Sequence, residues 1–383
     1  LLSIVVGALG IAAVETMFIA EREIPEAAQR AFGGVDLVIG PKGSALDLVL
    51  CCALHVSEPR GLVPLDAGMA LTRNPFIRAA APIALGDNIR GWRIVGTTPE
   101  ILSVYGAKLA HGNMWTAPLQ AIAGAEVARS LELKVGDIFV GAHGLGSGGE
   151  EHTAFPYKVV GLLAPTGSAL DRIVLTDIQS VYVIHQHHEV GEAEEDVAPT
   201  ADAPPAATAI LVAFRSPIAM AALPRLIDAT PQFSAASPAI ETARLIRAAR
   251  PMITATIVLG LIFAGIAAAT AATALLAAMS ARAKDLALLR ALGAHPWEIG
   301  RIAAIEAALL SLAAAVLGCI LAVGLIQFGA TLFAERDGLL LTGVPAAQDL
   351  AWIFGGAVAV ALIAATIPAI RAARAPIETV LNA

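Results

Sequence analysis

The chain has 383 residues, 57% of them hydrophobic and only 15% charged, against about 25% charged in an ordinary soluble domain. With a mean hydropathy of +0.73, this composition excludes a disordered chain and argues against a soluble enzyme. The formal net charge of −7 speaks against nucleic acid as a partner. All of that excess lies before residue 251, because the remainder balances seven basic against seven acidic residues. An acidic, water-facing body and a separate membrane part are therefore expected, with lipid as part of the solvent.

The chain opens with LLSIVVGALGIAAVETMFIA, residues 1–20, an apolar run broken only by Glu15. Its length suits a bilayer crossing. It lacks a basic leading region, and no small-residue cleavage site follows, so it reads as a first transmembrane helix whose start precedes Leu1, not as a signal peptide.

Residues 21–248 alternate strand and helix signals. Short β-branched runs recur at 35–40, 92–97, 137–142, 157–163, 172–176 and 209–214, bounded by Gly and Pro. Helix-like stretches cover 98–110 and 124–131. Their irregular order predicts an α+β domain rather than a doubly wound sheet. GEAEEDVAPTADAPPAAT (191–208) is acidic and then Pro/Ala-rich, and reads as a loop. Ser237, Pro238 and Glu241 form a helix-start signature. The helix they open leads straight into the next apolar run, as a stalk would.

Three further spans are expected at about 251–280, 304–332 and 348–370, all rich in Ala and Gly. Small residues let helices approach closely in lipid. Glu15 and Glu306 are ionisable groups in or near spans. The predicted fold is thus an α-helical membrane protein with four transmembrane helices, one before and three after a large extracytoplasmic mixed α/β insertion. The 281–301 segment carries Arg282, Lys284, Arg290 and Arg301, and the 371–383 tail carries Arg371 and Arg374. Loop 335–349 sets one base, Arg336, against Glu335, Asp337 and Asp349. The basic segment and tail are therefore expected in the cytoplasm and the inserted domain outside. Arg244, Arg247 and Arg250 run against that charge pattern, which long translocated domains often ignore.

Two clusters carry candidate chemistry. His143, Glu150, Glu151 and His152 share a Gly-rich loop, and His185, His187, His188 and Glu189 follow in a second segment. Imidazole and carboxylate suit zinc and similar divalent ions. Read as extended chain, the second segment turns His185 and His187 to one side. A hydrated acidic surface is the plain alternative. The other cluster is the short helix within the 281–301 segment. Leu286, Leu288, Leu289 and Leu292 give it an apolar face, Lys284, Asp285 and Arg290 supply polar contacts, and Gly293 ends it. Cys51 and Cys52 read as small packing residues, and with Cys319 they give no disulfide framework.

SARAKDLALLRALGAHPWEIGRIAAIEA (280–307) resembles the cytoplasmic segment of the MacB/FtsX/LolE group of ABC transporter permeases, with its pattern E/K-x-x-x-x-L-R-A-L/I-G-A-x-x-x-x-I followed by Glu. The tail IPAIRAARAPIETVLNA is similar to that family's closing P-A-x-R-A-x-x-x-x-P-x-E-x-L-R, ending here in Asn. IAGAEVARSLELKVGDIFV and FPYKVVGLL resemble its outer-domain motifs. The resemblance implies an FtsX-like permease domain over 249–383 and a MacB-like domain over 21–248. It also implies a bacterial inner membrane location with the large domain in the periplasm, and a permease homodimer. The short helix of the 280–307 segment would then couple to a separate ABC ATPase that holds ATP and magnesium, the mode of action being mechanotransmission for export or extraction. No G-x-x-x-x-G-K-[ST] occurs in the chain, and no catalytic residue or cofactor of its own is expected beyond zinc as a candidate. Two alternatives stay open: an FtsX-like regulator that transports nothing and acts on a periplasmic partner, and a zinc-binding component of a metal-related transporter.

Overall fold

A computed structural model of the chain describes residues 1–144, 152–188, 205–337 and 342–374. They form two compact units. One comprises Leu1–Ile24, Ile246–Leu332 and residues 342–374; the other comprises Pro25–Leu245 and residues 333–337.

Helix α1 (Leu2–Phe32) comes first. Strand β1 (Leu37–Pro41) follows, then the short helix α2 (Ala45–Leu48), whose Asp47 N–H donates to the Ser44 hydroxyl at 3.3 Å. Next come β2 (Val63–Pro64), α3 (Leu65–Leu71), β3 (Ile77–Ile89) and β4 (Trp92–Thr97). Helix α4 (Glu100–Tyr105) stops at Gly106, which takes the left-handed φ of +66° that glycine adopts without penalty. The chain continues through β5 (Leu109–Gly112), β6 (Gln120–Ala123), α5 (Ala125–Ser130), β7 (Ile138–Phe139), β8 (Ala142–His143) and β9 (Tyr157–Leu163). It closes this unit with β10 (Val174–Asp177), α6 (Ile178–His188), β11 (Ala206–Ala207), β12 (Ala209–Phe214), α7 (Ala219–Asp228) and β13 (Phe233–Ala236).

Among the described residues the main sheet runs β13-β1-β12-β3-β4-β10-β6-β9-β5, with β7 on β9 and β8 on β3. Most pairs are antiparallel; β10 with β4 and β6 with β9 are parallel. Both faces are covered, which is why strands such as AILVAF read as continuous apolar runs. In β12, Ala209, Leu211 and Ala213 enter one core, with Phe32, Cys51, Cys52 and Trp115, while Ile210 and Val212 enter another with Leu223 and Phe233. A third core lies toward Ile94, Phe139, Tyr157 and Ile184.

The long strand β3 has no counterpart among the strands expected from the sequence. Its Pro82 and the small residues of IRAAAPIALGDNI hide it. It joins β4 through Arg90 (φ +49°) and Gly91 (φ +88°), the paired positive angles of a tight hairpin turn. The helix expected at 98–110 is shorter, because Gly106 ends it and β5 begins at Leu109. Ser237 immediately precedes the next helix, yet its side chain does not cap it: the hydroxyl is buried and makes no hydrogen bond among the described residues.

Helices α8 (Pro238–Ala281), α9 (Ala283–Ala291), α10 (Pro296–Asp337) and α11 (Ala347–Arg374) follow, and most of their length belongs to the other unit. With α1, three of these are long and apolar enough to cross a membrane: α8, α10 and α11, with mean hydropathy of 2.3 to 2.7. Val258, Leu259, Leu261 and Ile262 are exposed on α8, as a lipid-facing surface requires. Where the helices meet, small residues let them touch: a Cβ on Gly10 would lie 2.9 Å from the Gly260 carbonyl oxygen. An apolar cleft of about 300 Å³ is lined by Gly10, Ala264, Ala314 and Val360 among others.

Candidate functional site

In the mixed α/β unit the structure assembles a cluster that the sequence showed only in part. Asp87, His143 and His152 bring one donor atom each to within 4.8 Å of one another. The His152 Nε2 lies 3.3 Å and the His143 Nδ1 3.7 Å from the same Asp87 oxygen. The two imidazoles stand edge to face, 89° apart, with centroids separated by 5.9 Å. Asp87 and His152 are buried, whereas the His143 side chain is 58% exposed.

Local structure explains each position. Asp87 sits where the β3–β4 register slips: Leu85 pairs Val95, but Asp87 pairs Ile94. The residue between, Gly86, is the extra residue of a bulge, and a bulge re-aims the side chain beyond it. Strict alternation would put Asp87 on the face of Leu85. The slip puts it instead with Ile94, against Tyr157. The Tyr157 hydroxyl is pushed well above its ordinary range, by burial first and by the Asp87 carboxylate second. His143 is held directly opposite Asp87 in the β3–β8 pair. Asn88 fixes that tip: its amide donates to the Ala142 carbonyl at 3.1 Å and the Gly144 carbonyl at 2.8 Å, and its own oxygen accepts the Gly91 N–H at 2.9 Å. His152 is placed by its N–H, which donates to the Gly141 carbonyl at 2.9 Å.

Of the expected ligands, then, His143 and His152 come together, and Asp87 joins them. Glu150, Glu151 and Glu189 lie outside the described residues. The expectation of an extended segment at His185, His187 and His188 is corrected: the backbone there is helical, and these residues end helix α6. The apolar Ile178, Val181 and Ile184 set that helical period by packing on the sheet.

The second candidate site is α9. Leu292 caps it, and Gly293 leaves it at φ +104°. Its apolar residues divide. Leu286 packs inward near Met279, Ile299 and Ala303, and Ala287 is buried. Leu288, Leu289 and Leu292 point outward, Leu292 being 84% exposed, with Lys284 and Asp285 exposed beside them. Positions 285, 288, 289 and 292 form one stripe at helical spacing. Arg290 is half-buried. Helix α10 then starts with a reciprocal cap, the His295 N–H donating to the Glu298 carboxylate at 3.0 Å. Trp297 carries the Arg301 guanidinium over its ring at 5.8 Å.

Among the spans, Glu15 is fully buried, and neither carboxylate oxygen makes a hydrogen bond among the described residues. Glu306 is only half-buried. Lys42, in the Gly-Pro-Lys-Gly turn, donates to the Asp228 carbonyl at 2.7 Å and so has a structural role.

A membrane protein with spans arranged one plus three around a large mixed α/β domain is the class that these features define. Comparison with known families places it more closely. The MacB-like periplasmic core domain matches residues 1–230, and the FtsX-like permease C-terminal domain matches residues 257–377. The chain belongs to the MacB/FtsX-type family of ABC transporter permeases. Members of this family work with an ABC ATPase, which stands as a separate subunit. Among solved structures, the periplasmic region of MacB from Actinobacillus actinomycetemcomitans is similar at 13% identity and a TM-score of 0.36, covering 57% of this chain and 95% of that one. The extracellular domain of the noncanonic ABC-type transporter YknZ from Gram-positive bacteria is similar at 10% identity and a TM-score of 0.31, covering 52% and 98%. Comparison with curated proteins finds no match.

Proposed function

We propose that the chain is the permease subunit of an inner-membrane ABC transporter. It acts as a dimer and couples ATP hydrolysis on a separate subunit to movement of its periplasmic domain, for export or extraction of a cargo. The observation that carries this reading is the outward stripe of Leu288, Leu289 and Leu292 on α9, between two spanning helices. Three exposed leucines on one short helix are unfavourable in water and suit a groove on a partner. The excess of basic residues in the same segment sets it on the cytoplasmic side, where an ATPase is found. Movement of α9 would reach the adjoining α8, which runs as helix from Pro238 to Ala281 with Pro251 inside it. Cargo need not pass between the membrane helices in such a mechanism.

The test is a single cysteine in place of Leu289 in a chain whose Cys51, Cys52 and Cys319 are changed to serine. An impermeant maleimide labels it in inverted vesicles, and not in intact spheroplasts. A bifunctional thiol reagent joins it to the ATPase subunit. Labelling from the cell exterior sinks the proposal.

A further inference from the structure

We propose that Asp87, His143 and His152 form a binding site for a divalent transition ion of the zinc type, clipping together β3, β8 and the entry to β9. The donor set is two imidazoles and one carboxylate, which suits zinc, cobalt or nickel and disfavours the all-oxygen coordination of calcium and magnesium. Zinc bonds of roughly 2.0–2.2 Å to nitrogen and oxygen place neighbouring donors of a tetrahedral site roughly 3.3 Å apart. The Asp87 oxygen already stands 3.3 Å from His152 Nε2 and 3.7 Å from His143 Nδ1. A charge-assisted hydrogen bond would be shorter, about 2.7–2.9 Å. The spacing thus fits donors converging on a common ion.

The site is also built in advance. The bulge at Gly86 turns the carboxylate toward the imidazoles, and the Asn88 amide ties the β8 tip that carries His143. A Cβ on Gly141 would come within 3.0 Å of Ile94 and 3.3 Å of Tyr157, so this backbone lies close against the wall beside Asp87. A buried carboxylate and a buried imidazole hold the ion, while the exposed His143 gives it a path from solvent. Asp87 lies far in sequence from the loop that carries His143 and His152, so the ion closes a long loop and stabilises the folded chain by mass action. This inference does not depend on whether the chain moves a cargo.

The full chain is purified in detergent with chelator, dialysed, and titrated with zinc chloride by calorimetry, with thermal unfolding followed in parallel. One zinc per chain at micromolar or tighter affinity, with a rise in melting temperature, is expected. His143→Ala, on an exposed side chain, leaves the apo melting temperature unchanged and weakens zinc at least about tenfold, the lower bound for losing even an outer partner of a metal. His152→Gln and Asp87→Asn, at buried positions, weaken zinc at least as much. A chain with His185, His187 and His188 all changed to Gln keeps both the affinity and the thermal shift. Cobalt(II) gives visible d–d bands that disappear in His143→Ala. Zinc binding that is absent at micromolar concentration, that survives His143→Ala, or that is lost only in the triple variant overturns the proposal.

Discussion

The Glu23 carboxylate accepts the Thr342 hydroxyl at 2.7 Å and the Thr342 N–H at 2.8 Å, although the residues stand 319 positions apart. The same carboxylate takes the N–H groups of Gly343 at 3.0 Å and Val344 at 3.2 Å. Beside it, Arg22 bonds the Asp349 carboxylate at 2.7 Å and the Val344 carbonyl at 2.5 Å. Two adjacent residues late in α1 therefore fix the turn into α11. In a chain whose four spans alternate in direction, the end of the first and the start of the fourth share one side, and these bonds require the same.

Glu23→Gln tests that latch. The amide keeps the shape but replaces one accepting oxygen with a donor facing N–H groups. Because Glu23 is only 6% exposed, the mismatch costs about 1–3 kcal/mol. The expected result is a lower melting temperature of the detergent-solubilised chain. Arg22→Ala alone removes a half-exposed pair and costs less. Equal losses in the two variants would contradict the assignment.

Close helix contact in the membrane unit gives a second expectation. Gly10 and Gly260 face one another so tightly that a Cβ on Gly260 would come within 2.5 Å of Val14 and 2.9 Å of the Gly10 carbonyl oxygen. Packing, not water, holds helices together in lipid. Gly260→Val should force α1 from α8 and cost about 1–3 kcal/mol. Gly265→Val, with open space around it, should leave stability unchanged. Thermal unfolding of both variants decides the matter.

The pattern of spans was legible because lipid imposes it: uncharged runs of that length have few other uses. Helix α9 was legible through its leucine spacing and Gly293. The cluster of Asp87, His143 and His152 was half legible. His143 and His152 stood out as histidines in one Gly-rich loop, but Asp87 belongs to a strand whose small residues and proline concealed it. Its one available signal was Gly86 within an apolar run, which marks a bulge. The histidines of α6 misled because their short polar ending carries no period of its own; the apolar residues before them decide the helix. The leucines of α9 were expected to share one face, and only packing separates Leu286 from the other three.

His55 supplies a pH dependence. Burial first, and the Arg93 charge second, lower its pKa from 6.5 to about 3. Below pH 6.5 the unfolded chain takes up a proton there that the folded chain refuses, so this group costs nothing above 6.5 and progressively weakens the fold as pH falls toward 3. The slope is at most about 1.4 kcal/mol per pH unit. His55 also has a left-handed φ of +59°, which asparagine tolerates. His55→Asn should therefore lose less of its stability between pH 7.5 and pH 5 than the parent does. Parallel pH profiles for the two chains would refute this account.

On α9, one substitution made at two positions separates packing from coupling. Leu286 faces the small cluster of Met279, Ile299 and Ala303, whereas Leu292, six residues on, is 84% exposed. An aspartate at 286 places a charge against apolar neighbours, which is expensive without a partner. Leu286→Asp should therefore lower the melting temperature of the chain and reduce its yield from membranes, whether or not the ATPase is present. Leu292→Asp disturbs nothing within the chain, and its stability should stay within about 0.5 kcal/mol of the parent. If the outward stripe of Leu288, Leu289 and Leu292 is what the ATPase grips, that same change puts a charge in a hydrophobic groove. It should then cut ATPase co-purification and permease-dependent ATP turnover by tenfold or more, the effect of about 1.4 kcal/mol at a contact. Leu288→Asp should behave as Leu292→Asp does. A chain with Asp at 292 that keeps full ATP turnover in reconstituted vesicles would mean that the leucines merely lie in the membrane surface, and that the ATPase contacts the chain elsewhere.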